Sequence, residues 1–203
     1  QQATVQLGKI GIQAIVNTMG VSVSAAFAVV NRIDDFAYTP EQNIAHAMTA
    51  LMAQNKGAGK IDRMKEGFRC GIILETIYGI LIFIICFVFA RPLMLMFVKD
   101  EEVIGHGVTY LHLISVMYLL PALTNGIQGF FRGIGDLKIT LISSFINMAL
   151  RVLAAAPLVL IWKMGIEALP YSYLAGWIGM LVAETPLLLK TYKTWGKKGE
   201  TPC

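Results

Sequence analysis

Four long stretches that carry almost no charge constrain this sequence more than any other feature. They cover residues 72–90, 108–131, 139–161 and 168–189. Each is long enough to cross a bilayer, because a membrane-spanning helix needs about 20 predominantly apolar residues. The stretches show no alternation of apolar and polar residues and are about twice as long as a membrane strand. They therefore predict transmembrane helices.

The composition agrees with a membrane protein. Of 203 residues, 56% are hydrophobic and 15% are charged, whereas about 25% of the residues of a soluble domain are charged. The three cysteines are too few for a disulfide scaffold. At about 20 residues per crossing plus short loops, the chain accommodates roughly six to eight helices.

The first part of the chain adds two helices with polar faces to the four apolar ones. The sequence thus predicts an all-α polytopic membrane protein with six transmembrane helices, at about residues 1–19, 21–55, 68–91, 106–131, 137–162 and 166–190. At about 1.5 Å per residue, the second helix exceeds a hydrocarbon core of roughly 30 Å. We expect it to tilt, to kink at Pro40 or to project into water.

The charges of the loops predict how these helices are oriented. Segments 56–69 and 132–138 and the C-terminal tail are basic, whereas segments 99–107 and 163–167 are not. Lys and Arg accumulate on the cytoplasmic side of a membrane, so we expect a cytoplasmic C-terminus and outward-running helices 1, 3 and 5. The net charge of +4 is then explained by topology, and the expected partner is the lipid bilayer, not nucleic acid.

Five polar residues share one face of the first helix. Gln2, Gln6, Lys9, Gln13 and Asn17 recur at steps of three or four, which places them on one side of a helix. Such a face is costly against lipid and should meet water or other helices. It predicts either the wall of a solute cavity or a set of hydrogen bonds between helices, with Lys9 reaching towards the interface.

A similar polar stripe on the second helix consists of Asn31, Asp35, Tyr38 and Gln42. Asp34 falls on a neighbouring face, and Arg32 lies three residues before Asp35, so an internal ion pair is available. Pro40 removes one backbone hydrogen bond, and a broken helix beside carboxylates is typical of ion and substrate sites in transporters. The alternative is a structural ion pair with a static kink. Glu41 lies nearer the cytoplasmic end, where we expect it to be hydrated.

Three more charged residues lie within the predicted helices. Glu75 is either a proton or cation site or an acid at headgroup depth, and we expect the latter. Arg151 could pair with an aspartate of the second helix, and Glu184 is expected at the cytoplasmic interface. If coupling lies in this chain, the candidate ion-coupling residues are Asp34, Asp35 and Glu75. The candidate residues that line a substrate cavity are Gln6, Lys9, Gln13, Asn17, Asn31, Tyr38, Asn147 and Arg151.

The sequence contains no recognisable catalytic motif. It has no G-x-S-x-G, no H-E-x-x-H, no phosphate-binding P-loop and no acid pair at metal-ligand spacing. The glycine-rich segment 129–135 follows a helix instead of a strand, so it predicts a tight turn and not a phosphate site. We therefore expect neither an enzyme nor a resident cofactor or metal.

Four segments resemble the multidrug and toxic compound extrusion (MATE) family. They are AAFAVVNRIDDFAYTP (25–40), ALMAQNKGAGKIDRMKEG (50–67), GIQGFFRGIGDLK (126–138) and, more loosely, PYSYLAGWIGM (170–180). The resemblance covers essentially the whole chain and fits helices 7 to 12 of such a protein. It implies a twelve-helix exporter of two six-helix lobes, in which cationic or amphipathic drugs leave in exchange for Na⁺ or H⁺.

This chain would then be the C-terminal lobe, in a bacterial plasma (inner) membrane. Its partners would be small organic solutes and the missing N-terminal lobe. The chain begins at Gln1 in a helix that is already under way, so we expect a longer protein. Some branches of the family place a cation site in this lobe, with a glutamate on its first helix and an aspartate on its fourth.

That cation site is not carried over to this chain. The first helix has no carboxylate, and the fourth has Pro121 and Asn125 but no acid. Coupling is expected either in the missing half or at Asp34, Asp35 and Glu75.

Two other functions are considered beside cation-coupled export. A lipid-linked oligosaccharide flippase of the same superfamily would need a strongly cationic cavity for its pyrophosphate cargo. This chain offers Lys9, Arg32 and Arg151 within the membrane, with acids close by, which favours the antiporter. A membrane-embedded enzyme or a purely structural bundle is disfavoured, because no set of catalytic residues converges.

Overall fold

The computed structural model describes the backbone of residues 2–198 and the side chains of residues 8–194. Within this part of the chain, every regular element is a helix. The helices are α1 (Gln2–Asn17), α2 (Val21–Gly57), α3 (Ile61–Val88), α4 (Ala90–Leu95), α5 (Glu101–Ser115), α6 (Leu119–Gly133), α7 (Leu137–Leu160) and α8 (Ala168–Lys198). The predicted all-α fold class is thereby confirmed.

Length and composition identify the helices that can cross a membrane on their own. Among the described residues, α3, α7 and the part of α8 over Ala168–Thr194 are long and apolar enough, and α5 with α6 qualifies as one bent span. The structure therefore gives three spans, or four with the bent pair. α1 is shorter, with 16 residues, and α2 carries charges along its length, so neither meets these criteria.

The break between α5 and α6 divides the helix predicted at 106–131. The two helices are bent by 53°. At the break, the N–H groups of Met117, Tyr118 and Leu120 donate to carbonyls three residues back instead of four. Pro121 follows and has no N–H to donate. The local sequence therefore explains the bend.

Two helices begin earlier than the sequence predicts. α3 begins at Ile61, not at residue 68, because the charged residues of the loop are good helix formers and extend the helix beyond its apolar part. α5 begins at Glu101, where the carboxylate of Asp100 accepts hydrogen bonds from the N–H groups of Glu102 and Val103. This is the usual way in which an aspartate caps the start of a helix.

The two loops that carry the most family-like segments meet at one end of the molecule. The ammonium group of Lys56, at the end of α2, donates to the carbonyl of Ile134, at the end of α6. In the turns that follow, Gly59 has φ +67° and Gly135 has φ +82°. Glycine adopts this left-handed conformation without steric cost, which explains its presence in both turns.

α2 is the central helix of the packing. It contacts α3, α5 and α6, whereas α7 contacts α1 and α8. α2 and α6 approach closely at Gly129, where an added Cβ would lie 2.6 Å from the carbonyl oxygen of Ala45. The hydroxyl of Thr49 bridges the same contact, because it lies 2.9 Å from the carbonyl oxygen of Ala45 and 3.1 Å from that of Gly129. A small residue on α6 thus sets the distance between the two helices.

One side of α3 is apolar and exposed. Its exposed residues recur at helical spacing and include Ile73, Leu74, Ile77, Ile80, Leu81 and Ile84. Such a stripe is unfavourable in water and suits the acyl chains of a bilayer. The opposite side of α3 is buried against α2 and α6.

Candidate functional site

A polar cavity of about 520 Å³ lies between α1, α2, α6, α7 and α8. Its wall combines charged side chains, amides and hydroxyls with aromatic and aliphatic groups. A cavity of this size falls in the range of small-molecule sites, about 300–1,000 Å³. It is therefore the candidate functional site of the chain.

Most of the residues that the sequence assigns to a cavity wall lie in this wall. Those that line it are Lys9, Gln13, Asn31, Tyr38, Asn147 and Arg151. Asn17 is not among the described lining residues, and its side chain accepts a hydrogen bond of 2.9 Å from Gln13. The side chains of Gln2 and Gln6 lie outside the described residues.

The two adjacent aspartates of α2 both line the cavity but in different surroundings. Asp34 is 5% exposed and accepts a hydrogen bond from the hydroxyl of Tyr118. Asp35 is exposed, and its carboxylate lies 4.0 Å from the ammonium group of Lys9 on α1. The charged group that the structure pairs with Asp35 is thus Lys9, whereas the sequence suggested Arg32. The fixed carboxylate in the wall is that of Asp34.

Arg151 of α7 meets an aromatic ring instead of forming the ion pair considered for it. Its guanidinium carbon lies 3.3 Å from the centroid of the Tyr173 ring on α8. The charge of Arg151 also acts attractively on Asp34 across the cavity. This arrangement fixes a cation beside an aromatic face.

Glu75, which the sequence placed at headgroup depth, is fully buried near the middle of α3. It is also absent from the described residues that line the cavity. The expectation of a hydrated Glu41 is wrong, because this side chain is 1% exposed. α6 packs across α2 at this point, and its Asn125 donates to the carboxylate of Glu41.

Glu184 is also buried, although the sequence placed it at the interface. It lies near Arg132, Ser143 and Gln128, because α8 packs its inner face against α6 and α7. Gln128 donates to the hydroxyl of Ser144 across 3.1 Å. Three residues of this region that the sequence did not assign to the cavity line it: Gln128, Arg132 and Ser144. Gln128 and Arg132 lie four residues apart on α6, and Ser144 lies on the polar side of α7. Helical spacing could therefore have predicted that they share the faces that line the cavity.

Solved structures show the same fold. A multidrug resistance MATE family transporter of the MOP superfamily, in its outward-facing conformation, matches with a TM-score of 0.83 and 15% identity over 91% of this chain and 40% of its own. A MATE structure in the bent conformation matches with a TM-score of 0.88 and 15% identity over 95% of this chain and 43% of its own.

Curated sequences agree with the structural comparison. The probable multidrug resistance protein YoeA of Bacillus subtilis is 30% identical over 201 residues, which are 96% of this chain and 42% of YoeA. The probable multidrug resistance protein NorM of Thermotoga maritima is 24% identical over 84% of this chain and 36% of NorM. The chain therefore spans less than half the length of these relatives. Since the MatE family model matches residues 1–156, the chain belongs to the MatE family of membrane transporters.

Proposed function

We propose that this chain is one lobe of a cation-coupled antiporter that exports drugs or other amphipathic or cationic organic compounds. The observation that carries the proposal is the polar cavity between five helices of a MATE fold. The names of the relatives, probable multidrug resistance proteins, support the same substrate class. A second, N-terminal lobe would complete the transporter.

The cavity contains groups that suit an organic cation. Asp34 offers a fixed carboxylate, and the rings of Tyr38, Tyr173 and Trp177 offer apolar and π surface. Lys9 and Arg151 add positive charges to the cavity wall, which therefore carries charges of both signs. Export would follow from rocking of the two lobes about this site, which exposes it to each side of the membrane in turn.

Coupling requires that a cation, Na⁺ or H⁺, and the organic solute bind in a mutually dependent way. Asp34 and Asp35 are the carboxylates of the described residues in the cavity wall. A solute cation would neutralise one of them, so its binding would depend on the charge state of the site that holds the coupling ion. The bilayer would be a bacterial plasma membrane, with the basic loops and the C-terminus in the cytoplasm.

A lipid-linked oligosaccharide flippase is the alternative function. Its pyrophosphate cargo would require a wall dominated by cations. Here Asp34 and Asp35 stand in the same wall as Lys9, Arg132 and Arg151, so the proposal remains with the antiporter.

The proposal is tested by dye efflux from cells that lack other exporters and express the full-length transporter containing this chain. We expect efflux of a fluorescent organic cation in the wild type and at least a tenfold slower rate with Asp34→Asn. The matched control is Asp62→Asn, an exposed acid at the start of α3, which should export at the wild-type rate. Absence of dye efflux in the wild type, together with binding of a lipid-linked oligosaccharide, would favour the flippase.

A further inference from the structure

Two buried carboxylates that do not line the cavity lie near each other between α2, α3 and α6. Glu41 is 1% exposed and Glu75 is 0% exposed. Among the described side chains, Oε1 of Glu41 and both carboxylate oxygens of Glu75 have no hydrogen-bond partner. Buried polar atoms are almost always hydrogen-bonded, so three orphaned acceptors in one place call for an explanation.

The geometry brings both acids against the same point of α6. The side-chain amide of Asn125 donates to Oε2 of Glu41 across 3.3 Å. At the next residue, Gly126, an added Cβ would lie 3.6 Å from Cγ of Glu75. The charge of Glu75 acts on Glu41. Glu75 therefore lies beside the residue that follows the amide bound to Glu41.

α2 and α3 are also tied to each other beside the two acids. The hydroxyl of Tyr78 donates to the carbonyl of Ala37 across 3.1 Å. Tyr78 lies about one turn after Glu75, and Ala37 about one turn before Glu41. This contact holds the two helices in register, so the pair of carboxylates is a defined feature of the packing.

Among the described residues, no cation acts on Glu41 or Glu75. The groups that act on Glu41 are the carboxylates of Glu75 and Asp34 and the amide of Asn125. Two ionised carboxylates in such a place would repel each other without compensation, and an unpaired buried charge is strongly unfavourable. One added positive charge removes the repulsion. A proton does so in the smallest space and turns one orphaned acceptor into a donor.

We propose that Glu41 and Glu75 hold one proton between them and form the site at which the transporter binds its coupling proton, apart from the cavity that binds the organic solute. Uptake forms an O–H bond on one carboxyl group and leaves the other ionised. Release breaks that O–H bond and restores two carboxylates. The inference rests on the proposed export function and assigns its coupling ion.

A route between this site and the cavity follows one face of α2. Asp34 lines the cavity and lies two helical turns before Glu41, on the same side of the helix. Tyr38 stands between them, and its buried hydroxyl has no hydrogen-bond partner among the described residues. Because the charges of Glu41 and Asp34 interact, proton release at Glu41 changes the electrostatic potential at Asp34, where the organic cation is proposed to bind.

Infrared difference spectroscopy of the purified full-length transporter tests the proton site directly. We expect the wild type to show the C=O band of a protonated carboxyl group that disappears on a shift to alkaline pH. The band should be lost in Glu41→Gln and in Glu75→Gln, and the double variant should lose no more than either one. Glu184→Gln, an equally buried acid elsewhere, should keep the band. An unchanged band in both single variants would overturn the proposal.

Sodium is the competing occupant, and the same protein distinguishes it. A wild type that shows no such band but gains thermal stability with Na⁺, and loses that gain in Glu75→Gln, would replace the proton by Na⁺ and overturn the proposal. Glu75→Asp retains a carboxyl group and should restore part of the band. If Glu75 had a purely structural role, the wild type would show no such C=O band, and Glu75→Asp would restore none.

Transport in proteoliposomes separates this inference from the export function. With an imposed proton gradient, we expect uphill efflux of an organic cation in the wild type and in Glu66→Gln, an exposed acid of α3, and at least a tenfold loss in Glu41→Gln and Glu75→Gln. Binding of the organic cation should persist in both, because neither residue lines the cavity. Normal proton-driven efflux in both variants would refute the proton site and leave export intact. If the wild type shows no efflux, the proposed export function is wrong, and the infrared measurement by itself then tests the proton site.

Discussion

Asn125 of α6 donates its side-chain amide to the carboxylate of Glu41 on α2 across 3.3 Å. The family resemblance directed attention to a carboxylate on this helix, and the sequence has an amide there instead. The structure shows that acids from two other helices, Glu41 on α2 and Glu75 on α3, converge on the same part of α6. The acidic groups of this lobe are thus supplied by different helices from those that the motif comparison suggested.

Removal of this amide should destabilise the protein measurably. Asn125→Ala leaves Oε2 of Glu41 without the hydrogen bond that it accepts. We expect a loss of about 1–2 kcal/mol in the free energy of unfolding, the usual range for a hydrogen bond within a membrane bundle or to a charged group. The measurement is thermal unfolding of the detergent-solubilised transporter. Asn55→Ala, at an exposed end of α2, is the control and should change stability by less than about 0.5 kcal/mol; equal losses in both variants would contradict the interpretation.

The bond between Tyr118 and Asp34 should matter more for transport than for packing. Tyr118→Phe keeps the ring that meets Tyr38 edge-on at 5.8 Å but removes the hydroxyl that donates to Asp34. We expect a lower apparent affinity for the organic cation, by about three- to tenfold, because the carboxylate is no longer held in one orientation; a loss of about 1 kcal/mol corresponds to a factor of five. Equilibrium dye binding measures the change.

The control for this change is Tyr171→Phe, since Tyr171 is exposed on α8. It should bind the dye as the wild type does. If Tyr118→Phe also binds normally, the orientation of Asp34 does not contribute to solute binding.

The contact between α2 and α6 should not tolerate a methyl group. Gly129→Ala would place a Cβ 2.6 Å from the carbonyl oxygen of Ala45, and backbone atoms cannot move aside as a flexible side chain can. Overpacking of this kind costs about 1–3 kcal/mol, so we expect a lower unfolding temperature. Gly105→Ala, on the open side of α5 where nothing lies within 4 Å, is the matched control. It should leave stability unchanged or raise it by about 0.5–1 kcal/mol, and a similar fall in both variants would refute the packing argument.

Arg151 should not be replaceable by lysine. Arg151→Lys keeps the positive charge but loses the planar group that stacks 3.3 Å from the centroid of Tyr173, and the two cations are not equivalent at a stacked site. We expect at least a threefold slower dye efflux at equal protein expression. Arg91→Lys is the control, because Arg91 pairs with Glu101 at the surface and exposed ion pairs contribute about 0–1 kcal/mol. Wild-type efflux in Arg151→Lys would show that charge alone suffices there.

Helical periodicity explains what the sequence could predict of the site. Lys9 and Gln13 lie one turn apart on α1, and both line the cavity, since a polar face cannot be left against lipid. Asn147 and Arg151 follow the same rule on α7. Periodicity determines which residues share a face, and so it predicts the wall of the cavity but not the partner of each side chain.

Tertiary packing explains what the sequence could not predict. The spacing of Arg32 and Asp35 suggested a pair within one helix, but Lys9 of α1 lies beside Asp35 because the two helices meet there. Glu41 was expected to be hydrated because it lies nearer the cytoplasmic end of its helix, and its burial depends on α6 packing across it. Such relationships between helices are not encoded in any single stretch of sequence.

The central claim, that the cavity of this lobe binds the exported solute, is tested most directly by alkylation of single cysteines. In a full-length transporter whose native cysteines are replaced, Asn31→Cys places a thiol in the cavity wall, and Lys60→Cys places one in the exposed loop between α2 and α3. We predict that a saturating organic cation slows the alkylation at position 31 at least tenfold and leaves that at position 60 unchanged. Equal rates at position 31 with and without the solute, in a protein that still exports it, would contradict the account.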